Sequence, residues 1–114
     1  MLYEMKLQST PFTAVKNGSK IIESRLFDEK RQLINLGDQI LFRNIDKLED
    51  AVLTKVNGLL RYETFSAMFN DFPALVFGGE TKNMLEEQIY SFYSKDDEQK
   101  YGVLGIRITK IDQK

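Results

Sequence analysis

Several short stretches of the chain alternate apolar and polar residues or are rich in β-branched residues, and both patterns predict strands. Leu2 to Leu7 alternates cleanly, which is typical of a half-buried strand. Gly58 lies inside the longest stretch and predicts a β-bulge or bend there. The five predicted strands cover residues 2–7, 19–25, 39–43, 51–62 and 101–109.

Apolar residues at helical spacing predict three short helices. The first is expected to begin with Thr10 as its N-cap and to end at Asn17-Gly18. The second begins after Thr64, and Thr81 is a suitable N-cap for the third. Residues 28–36 also have helical spacing, interrupted by Gly37-Asp38, whereas residues 95–100 predict a charged loop. The expected inner faces of the second and third helices are Phe65, Met68, Phe69 and Met84, Leu85, Ile89, Phe92.

Five strands and three short helices in 114 residues predict one α+β domain covering residues 1–114. The first and last strands are expected to pair, because closure of the sheet into a small barrel removes its exposed edges. The segment 72–79, between the second and third predicted helices, is apolar. It predicts either a buried connection or a lid or dimer surface.

Composition narrows the chemistry that the chain can perform. The sequence contains no cysteine and no histidine, which excludes disulfides, thiolate nucleophiles and histidine-dependent catalytic triads. No metal site and no cofactor are predicted. Sixteen basic and seventeen acidic residues give a net charge of −1, which argues against a protein that grips long nucleic-acid duplexes. No apolar run approaches the ~18 residues of a membrane span, so we expect no membrane contact and a cytoplasmic location.

One short segment concentrates charged residues directly after a helix-ending glycine. It has the spacing Gly18-x-Lys20-x-x-Glu23-x-Arg25. In a regular strand Glu23 and Arg25 share a face, so they can pair and orient the guanidinium towards a ligand. Lys20 has the opposite parity and joins them only from the turn that precedes the strand. The alternative is a solvated strand face without a function.

This spacing resembles the G-x-K-x-x-E-x-R signature of the ASCH (activating signal cointegrator homology) domain family. Residues 33–42, which include Gly37-Asp38, resemble the family's entry to the following strand, although a simple turn also explains that dipeptide. Residues 62–65 and 101–106 resemble the later helix start and the terminal strand of small stand-alone prokaryotic members. The likeness extends from about residue 3 to residue 109.

The resemblance implies a PUA-like β-barrel of about five to six strands with two or three short helices, and a cleft that binds RNA or a nucleotide. In that cleft Lys20 would contact a phosphate, Arg25 a phosphate or a base edge, and Glu23 a base amino group. Two tyrosines are candidates for stacking on a base, although tyrosine is also common at the edge of a core. The implied ligand-binding residues are Gly18, Lys20, Glu23, Arg25, Tyr62 and Tyr101.

The resemblance also leaves open a small hydrolase that acts on a modified nucleoside or on RNA. Some small proteins that resemble this family remove an acyl group from a modified cytidine with a lysine, a threonine and a distant glutamate. Lys20 stands at the lysine position, and Glu80 is a candidate for the distant carboxylate. Glu23 occupies the threonine position, so the hydroxyl of that mechanism is missing. In the hydrolase alternative the catalytic residues would be Lys20 and Glu23, with Glu23 activating a water molecule. The sequence does not indicate an oligomeric state.

Overall fold

The computed structural model describes residues 1–111, which form a five-stranded sheet and four α-helices. The elements follow one another as β1 (Leu2–Leu7), α1 (Ser9–Lys16), β2 (Ile22–Leu26), β3 (Gln39–Asn44), β4 (Lys47–Tyr62), α2 (Phe65–Asp71), α3 (Lys82–Phe92), α4 (Lys95–Tyr101) and β5 (Val103–Lys110). Two 3-10 turns, Arg31–Leu33 and Ala74–Phe77, lie in the connections before β3 and before α3.

The strands lie in the order β1-β3-β4-β5-β2, with β1 and β3 parallel and every other pair antiparallel. The 16-residue β4 organises the sheet, because its first half pairs with β3 and its second half pairs with β5. The register between β4 and β5 shifts between Val56 and Gly58, so the predicted irregularity at Gly58 is confirmed. The predicted α+β, PUA-like fold class is confirmed as a curled half-barrel.

The expected pairing of the first and last strands is wrong. β5 already has β4 on one side and β2 on the other, so β1 pairs with β3 instead. β1 and β2 are therefore the two edges of the sheet, and they approach each other across the open side of the half-barrel. There Arg25 of β2 donates a hydrogen bond from Nη2 to the carbonyl oxygen of Lys6 on β1, at 3.4 Å.

The helix starts follow the sequence signals in two of three cases. The side chains of Thr64 and Thr81 accept hydrogen bonds from the backbone N–H groups of Ala67 and Met84, as N-caps do. The first helix begins at Ser9, so the expected start at Thr10-Pro11 is slightly late. β2 begins at Ile22, three residues after the predicted start, which leaves residues 19–21 outside the sheet.

The predicted charged loop at residues 95–100 is wrong, since these residues form α4. Ser94 caps the helix by accepting from the Asp97 N–H, and acidic residues in the first turn suit the positive end of the helix dipole. Glu98 is buried and accepts hydrogen bonds from the Phe65 N–H and the Tyr90 hydroxyl, each at 2.7 Å. This carboxylate therefore connects α4 to the start of α2 and to the end of α3.

Two apolar clusters stabilise the domain. The first fills the inside of the half-barrel against α1, and the second lies between β2, β5, α2 and α3. The predicted inner face of α3 is partly wrong: Leu85 is buried, whereas Met84 and Phe92 are 50% and 58% exposed. Residues 72–79 contribute Phe77 to the second cluster. The centroid of its ring lies 4.9 Å from that of the Phe69 ring.

Within residues 1–111, no helix has the length and apolar character that crossing a membrane requires.

Candidate functional site

The charged motif begins in the turn that connects α1 to β2. Gly18 has a φ of +87°, a left-handed conformation that favours glycine and turns the chain out of the helix. The Lys20 N–H then donates to the Ala14 carbonyl, and the Ile21 N–H donates to the Val76 carbonyl. These bonds fasten the segment before β2 to α1 on one side and to the 3-10 turn Ala74–Phe77 on the other.

Three charged side chains of the motif meet in a buried cluster. The Lys20 Nζ lies 2.7 Å from Glu23 Oε1, and the Arg25 Nε lies 2.7 Å from Glu23 Oε2. The side chains of Lys20, Glu23 and Arg25 are only 7%, 4% and 15% exposed, so they are not a solvated strand face. Lys20 lies in the turn before β2, so it can reach the Glu23 carboxylate, which it could not do from within a regular strand. We call these three residues the triad.

The electrostatics of the triad favour its charged form. Burial raises the pKa of Glu23, but the neighbouring Lys20 and Arg25 outweigh it and lower that pKa from 4.5 to about 2. Burial lowers the pKa of Arg25, yet Glu23 and then Tyr93 hold it above its ordinary value. The carboxylate is thus kept ionised, with each oxygen accepting from one cation.

Gly78 fixes the position of Lys20, a role that sequence reasoning missed. Its φ is +90°, and a Cβ built there would lie 2.9 Å from Lys20 Cδ. The adjacent Gly79 packs still more closely on Leu85, because a Cβ built there would lie 2.6 Å from Leu85 Cδ2. The Gly78-Gly79 pair is therefore a site of close packing. In the sequence, the only indication of this close packing is the glycine pair itself.

A cavity of about 360 Å³ opens beside the triad, on the open side of the half-barrel. We call it the seam cavity. Its polar wall comes mainly from β1, β2 and the turn before β2, and consists of Lys6, Gln8, Lys20, Glu23, Ser24 and Arg25. Its apolar wall comes mainly from the start of α1 and from α3, and includes Pro11, Leu85, Ile89, Phe92 and Tyr93.

The apolar wall is the part of the site that the sequence did not reveal. Phe92 was expected in the core, but it is more than half exposed and borders the cavity. Tyr93 was not singled out in the sequence, although it belongs to the same apolar wall as Phe92 and lies beside Arg25. Helical spacing alone did not distinguish these residues that face the cavity from residues of the core.

The other sequence-predicted residues lie elsewhere. Among the described residues that line the seam cavity, Gly18, Tyr62, Tyr101 and Glu80 are absent. The Tyr62 hydroxyl donates to Asp71 at 2.6 Å, and that hydrogen bond raises the pKa of Tyr62. Tyr101 packs on the second apolar cluster, and Glu80 is exposed just before α3. The structure therefore brings together three of the predicted site residues.

Metal ligation has little support in the described part of the chain. Residues 1–111 contain no group of three or more histidine, cysteine, aspartate or glutamate side chains placed to hold a metal ion. Both oxygens of the buried Glu23 are already engaged by cations.

Solved structures with the same fold include two from small proteins of similar length. The crystal structure of hypothetical protein PH0355 is 34% identical, with a TM-score of 0.84 over 97% of this chain and 100% of that one. The solution structure of protein PF0455 from Pyrococcus furiosus is 30% identical, with a TM-score of 0.71 over 99% of this chain and 100% of that one. No curated protein matches the sequence.

A more distant structure is that of the S128A mutant of ZmASCH from Zymomonas mobilis. It is 9% identical, with a TM-score of 0.62 over 96% of this chain and 72% of that one, which shows a likeness of fold. The family model of the ASCH domain matches residues 5–112, which is nearly the whole sequence. With the half-barrel and this match together, the chain belongs to the ASCH domain family.

Proposed function

We propose that this protein binds RNA or a nucleotide in the seam cavity, through the triad. The observation that carries the proposal is the buried triad on one wall of a 360 Å³ cavity whose opposite wall is apolar. A concave, mostly apolar site with a few converging polar groups is the usual form of a small-ligand site. The association of the ASCH family with RNA binding supports the same conclusion.

The polar wall supplies groups that suit a nucleotide. Arg25 offers a planar guanidinium whose Nε is held on Glu23, so the orientation of the fork is set before a ligand arrives. Lys20 adds a compact positive charge held by the same carboxylate. In this proposal Glu23 chiefly orients the two cations, and its remaining lone pairs can accept from a base amino group.

The apolar wall supplies a surface for a base. Phe92 exposes 58% of its surface, and Tyr93 and Ile89 lie beside it around the cavity. Nucleic-acid bases stack on aromatic side chains, and each such contact contributes ~1–3 kcal/mol. Phe92 and Tyr93, at the end of α3, take the stacking role that the sequence had suggested for Tyr62 and Tyr101.

Size and charge restrict the ligand to something small. A volume of 360 Å³ is near the lower end of ligand cavities, which span about 300–1,000 Å³, and suits one nucleoside or nucleotide. A net charge of −1 does not favour the many phosphate contacts that a long duplex requires. The ligand we propose is a mononucleotide, or one unstacked nucleotide of a short single strand.

Hydrolysis has less support than binding. A carboxylate with a pKa of about 2 is a weak general base at neutral pH, and Glu23 is also engaged by two cations. Glu80, the candidate for a distant carboxylate, lies outside the cavity lining.

The test is a thermal-shift and calorimetric screen with nucleosides, nucleotides and short single-stranded RNAs. A ligand at 100 times its Kd stabilises the folded protein by about 2.7 kcal/mol, which gives a measurable rise in Tm. Arg25→Gln should abolish the rise. Arg107→Gln is the matched control, because Arg107 is an exposed arginine on β5 that lies outside the cavity lining. No shift with any of these ligands, or an equal shift in Arg25→Gln, would contradict the proposal.

A further inference from the structure

A second cavity of about 300 Å³ lies on the other side of Arg25. It is bounded by β1 and by the connection between β2 and β3. The charged residues that line it are Glu4, Lys6, Arg25, Lys30 and Arg31. We call it the basic cavity, because four of these five side chains are cationic.

The two cavities are neighbours that share a wall. Arg25 and Lys6 line both of them. The Arg25 guanidinium crosses the gap between the edge strands, with Nε on Glu23 and Nη2 directed at the Lys6 carbonyl 3.4 Å away. A ligand that occupies one cavity can therefore extend past this guanidinium into the other.

The charge of the basic cavity is only partly compensated. Glu4, its one acidic lining residue, pairs with Arg43 instead of with a cation of the cavity. Over residues 1–111, neither Lys6 nor Lys30 forms an ion pair with a carboxylate. Both lysines are exposed, so they present mobile charges at the rim.

Arg31 is oriented by its neighbour and has donor capacity to spare. Its Nη1 lies 2.8 Å from Asp28 Oδ2, and its backbone N–H donates to Asp28 Oδ1. The Nε is buried and has no hydrogen-bond partner among the described residues. Because Nε is inaccessible, a ligand in the basic cavity can use only the other donors of this guanidinium, for which an anionic oxygen is the best acceptor.

We propose that the basic cavity binds a backbone phosphate, the one that joins the nucleotide held in the seam cavity to its neighbour. The proposal rests on the proposed function and adds to it a substrate class: single-stranded RNA of at least two nucleotides in preference to a free nucleoside. The base would lie against α3, and the phosphodiester would cross Arg25 to reach Lys30 and Arg31.

The experiment compares nucleosides with dinucleoside monophosphates, which differ by one phosphodiester and one further nucleoside. All four nucleosides and their homodimers are titrated by NMR into the wild type and into Lys30→Gln, Arg31→Gln and Lys55→Gln. Lys55 is the matched control, since it is an exposed lysine on β4 that lines neither cavity. Because Arg31→Gln removes an ion pair, Tm is measured for each variant, and the exposed Lys30 keeps the test valid should Arg31→Gln unfold.

We expect the wild type to bind one dinucleoside monophosphate about tenfold more tightly than its nucleoside, the gain typical of a charge-assisted hydrogen bond. Lys30→Gln and Arg31→Gln should lose most of that gain while keeping the affinity for the nucleoside. The salt dependence of log K should also fall by about 0.7 per phosphate contact removed. Lys55→Gln should behave like the wild type.

Two results would overturn the inference, and they differ. If the wild type binds nucleosides but gains nothing from the phosphodiester, or if the gain survives in Lys30→Gln, the phosphate subsite is wrong and the seam cavity remains a nucleoside site. If the wild type binds neither nucleosides nor dinucleoside monophosphates, the proposed function fails and the subsite fails with it.

Discussion

Glu23 has a side chain that is 4% exposed and two cations within 2.7 Å of its oxygens. A buried carboxylate is costly unless it is paired, and two buried cations that lose their shared anion repel each other. At the scale of single residues, the triad is therefore a unit in which each charge depends on the others. Its conformation is fixed before any ligand enters the cavity.

Removing the charge of Glu23 should destabilise the fold strongly. Glu23→Gln leaves Lys20 and Arg25 buried together without an anion, and breaking such a buried pair costs about 3–5 kcal/mol. Chemical denaturation measures the loss. The control is Glu4→Gln, which removes the exposed partner of Arg43 and should cost under about 1 kcal/mol. Equal, small losses in both variants would show that the triad does not stabilise the protein.

The stability of the protein should also depend on acid through this residue. The pKa of Glu23 is lowered on folding, from 4.5 to about 2, so its contribution is complete above pH 4.5 and is lost as pH falls towards 2. That difference corresponds to about 3 kcal/mol. In urea denaturation at a series of pH values, the free energy of unfolding should decrease more steeply with falling pH for the wild type than for Glu23→Gln. Parallel pH profiles for the two proteins would contradict the lowered pKa.

At the scale of the elements, the 3-10 turn Ala74–Phe77 and the glycines after it hold the triad from one side. Val76 accepts a hydrogen bond from the Ile21 N–H, and Gly78 lies against the aliphatic part of Lys20. The apolar segment 72–79 thus connects the second apolar cluster with the polar wall of the seam cavity. A substitution in this turn should therefore alter the position of Lys20 and the affinity of the binding site.

Gly78→Ala should weaken nucleotide binding as well as stability. The left-handed φ costs ~1–2 kcal/mol for any other residue, and the new Cβ would push on Lys20 Cδ from 2.9 Å. Gly37→Ala is the matched control, because Gly37 has nearly the same φ, +88°, and no atom within 4 Å of the added Cβ. Both variants should lose stability through the left-handed φ, and Gly78→Ala should lose more, but only Gly78→Ala should bind nucleotide more weakly in calorimetry. Equal affinities would contradict the packing role of Gly78.

At the scale of the whole molecule, the site exists because the half-barrel is open between β1 and β2. Arg25 spans that opening, one cavity lies on each side of it, and α3 covers the larger one. Pairing of the two edge strands β1 and β2 would have closed this opening with backbone hydrogen bonds. The open edge that a small β-protein normally avoids is thus protected here by a charged side chain and helices.

Local patterns in the sequence were sufficient for most elements, because period-two alternation and threonine N-caps are encoded within a few residues. The strand order was not, since the pairing of β1 with β3 depends on contacts almost 40 residues apart. α4 was missed because its exposed charges resemble a loop, and only the tertiary contacts of Glu98 distinguish them. The triad was predictable from one motif, whereas the apolar wall comes from α3, about 70 residues later.

Mapping of backbone amide shifts during a titration with the best mononucleotide tests the central claim most directly. The account predicts the largest shifts at residues 18–25 and at Ile89, Phe92 and Tyr93 on the opposite wall, and their disappearance in Arg25→Gln. Saturable shifts that centre on another surface, or shifts that persist unchanged in Arg25→Gln, would show that the seam cavity is not the nucleotide site.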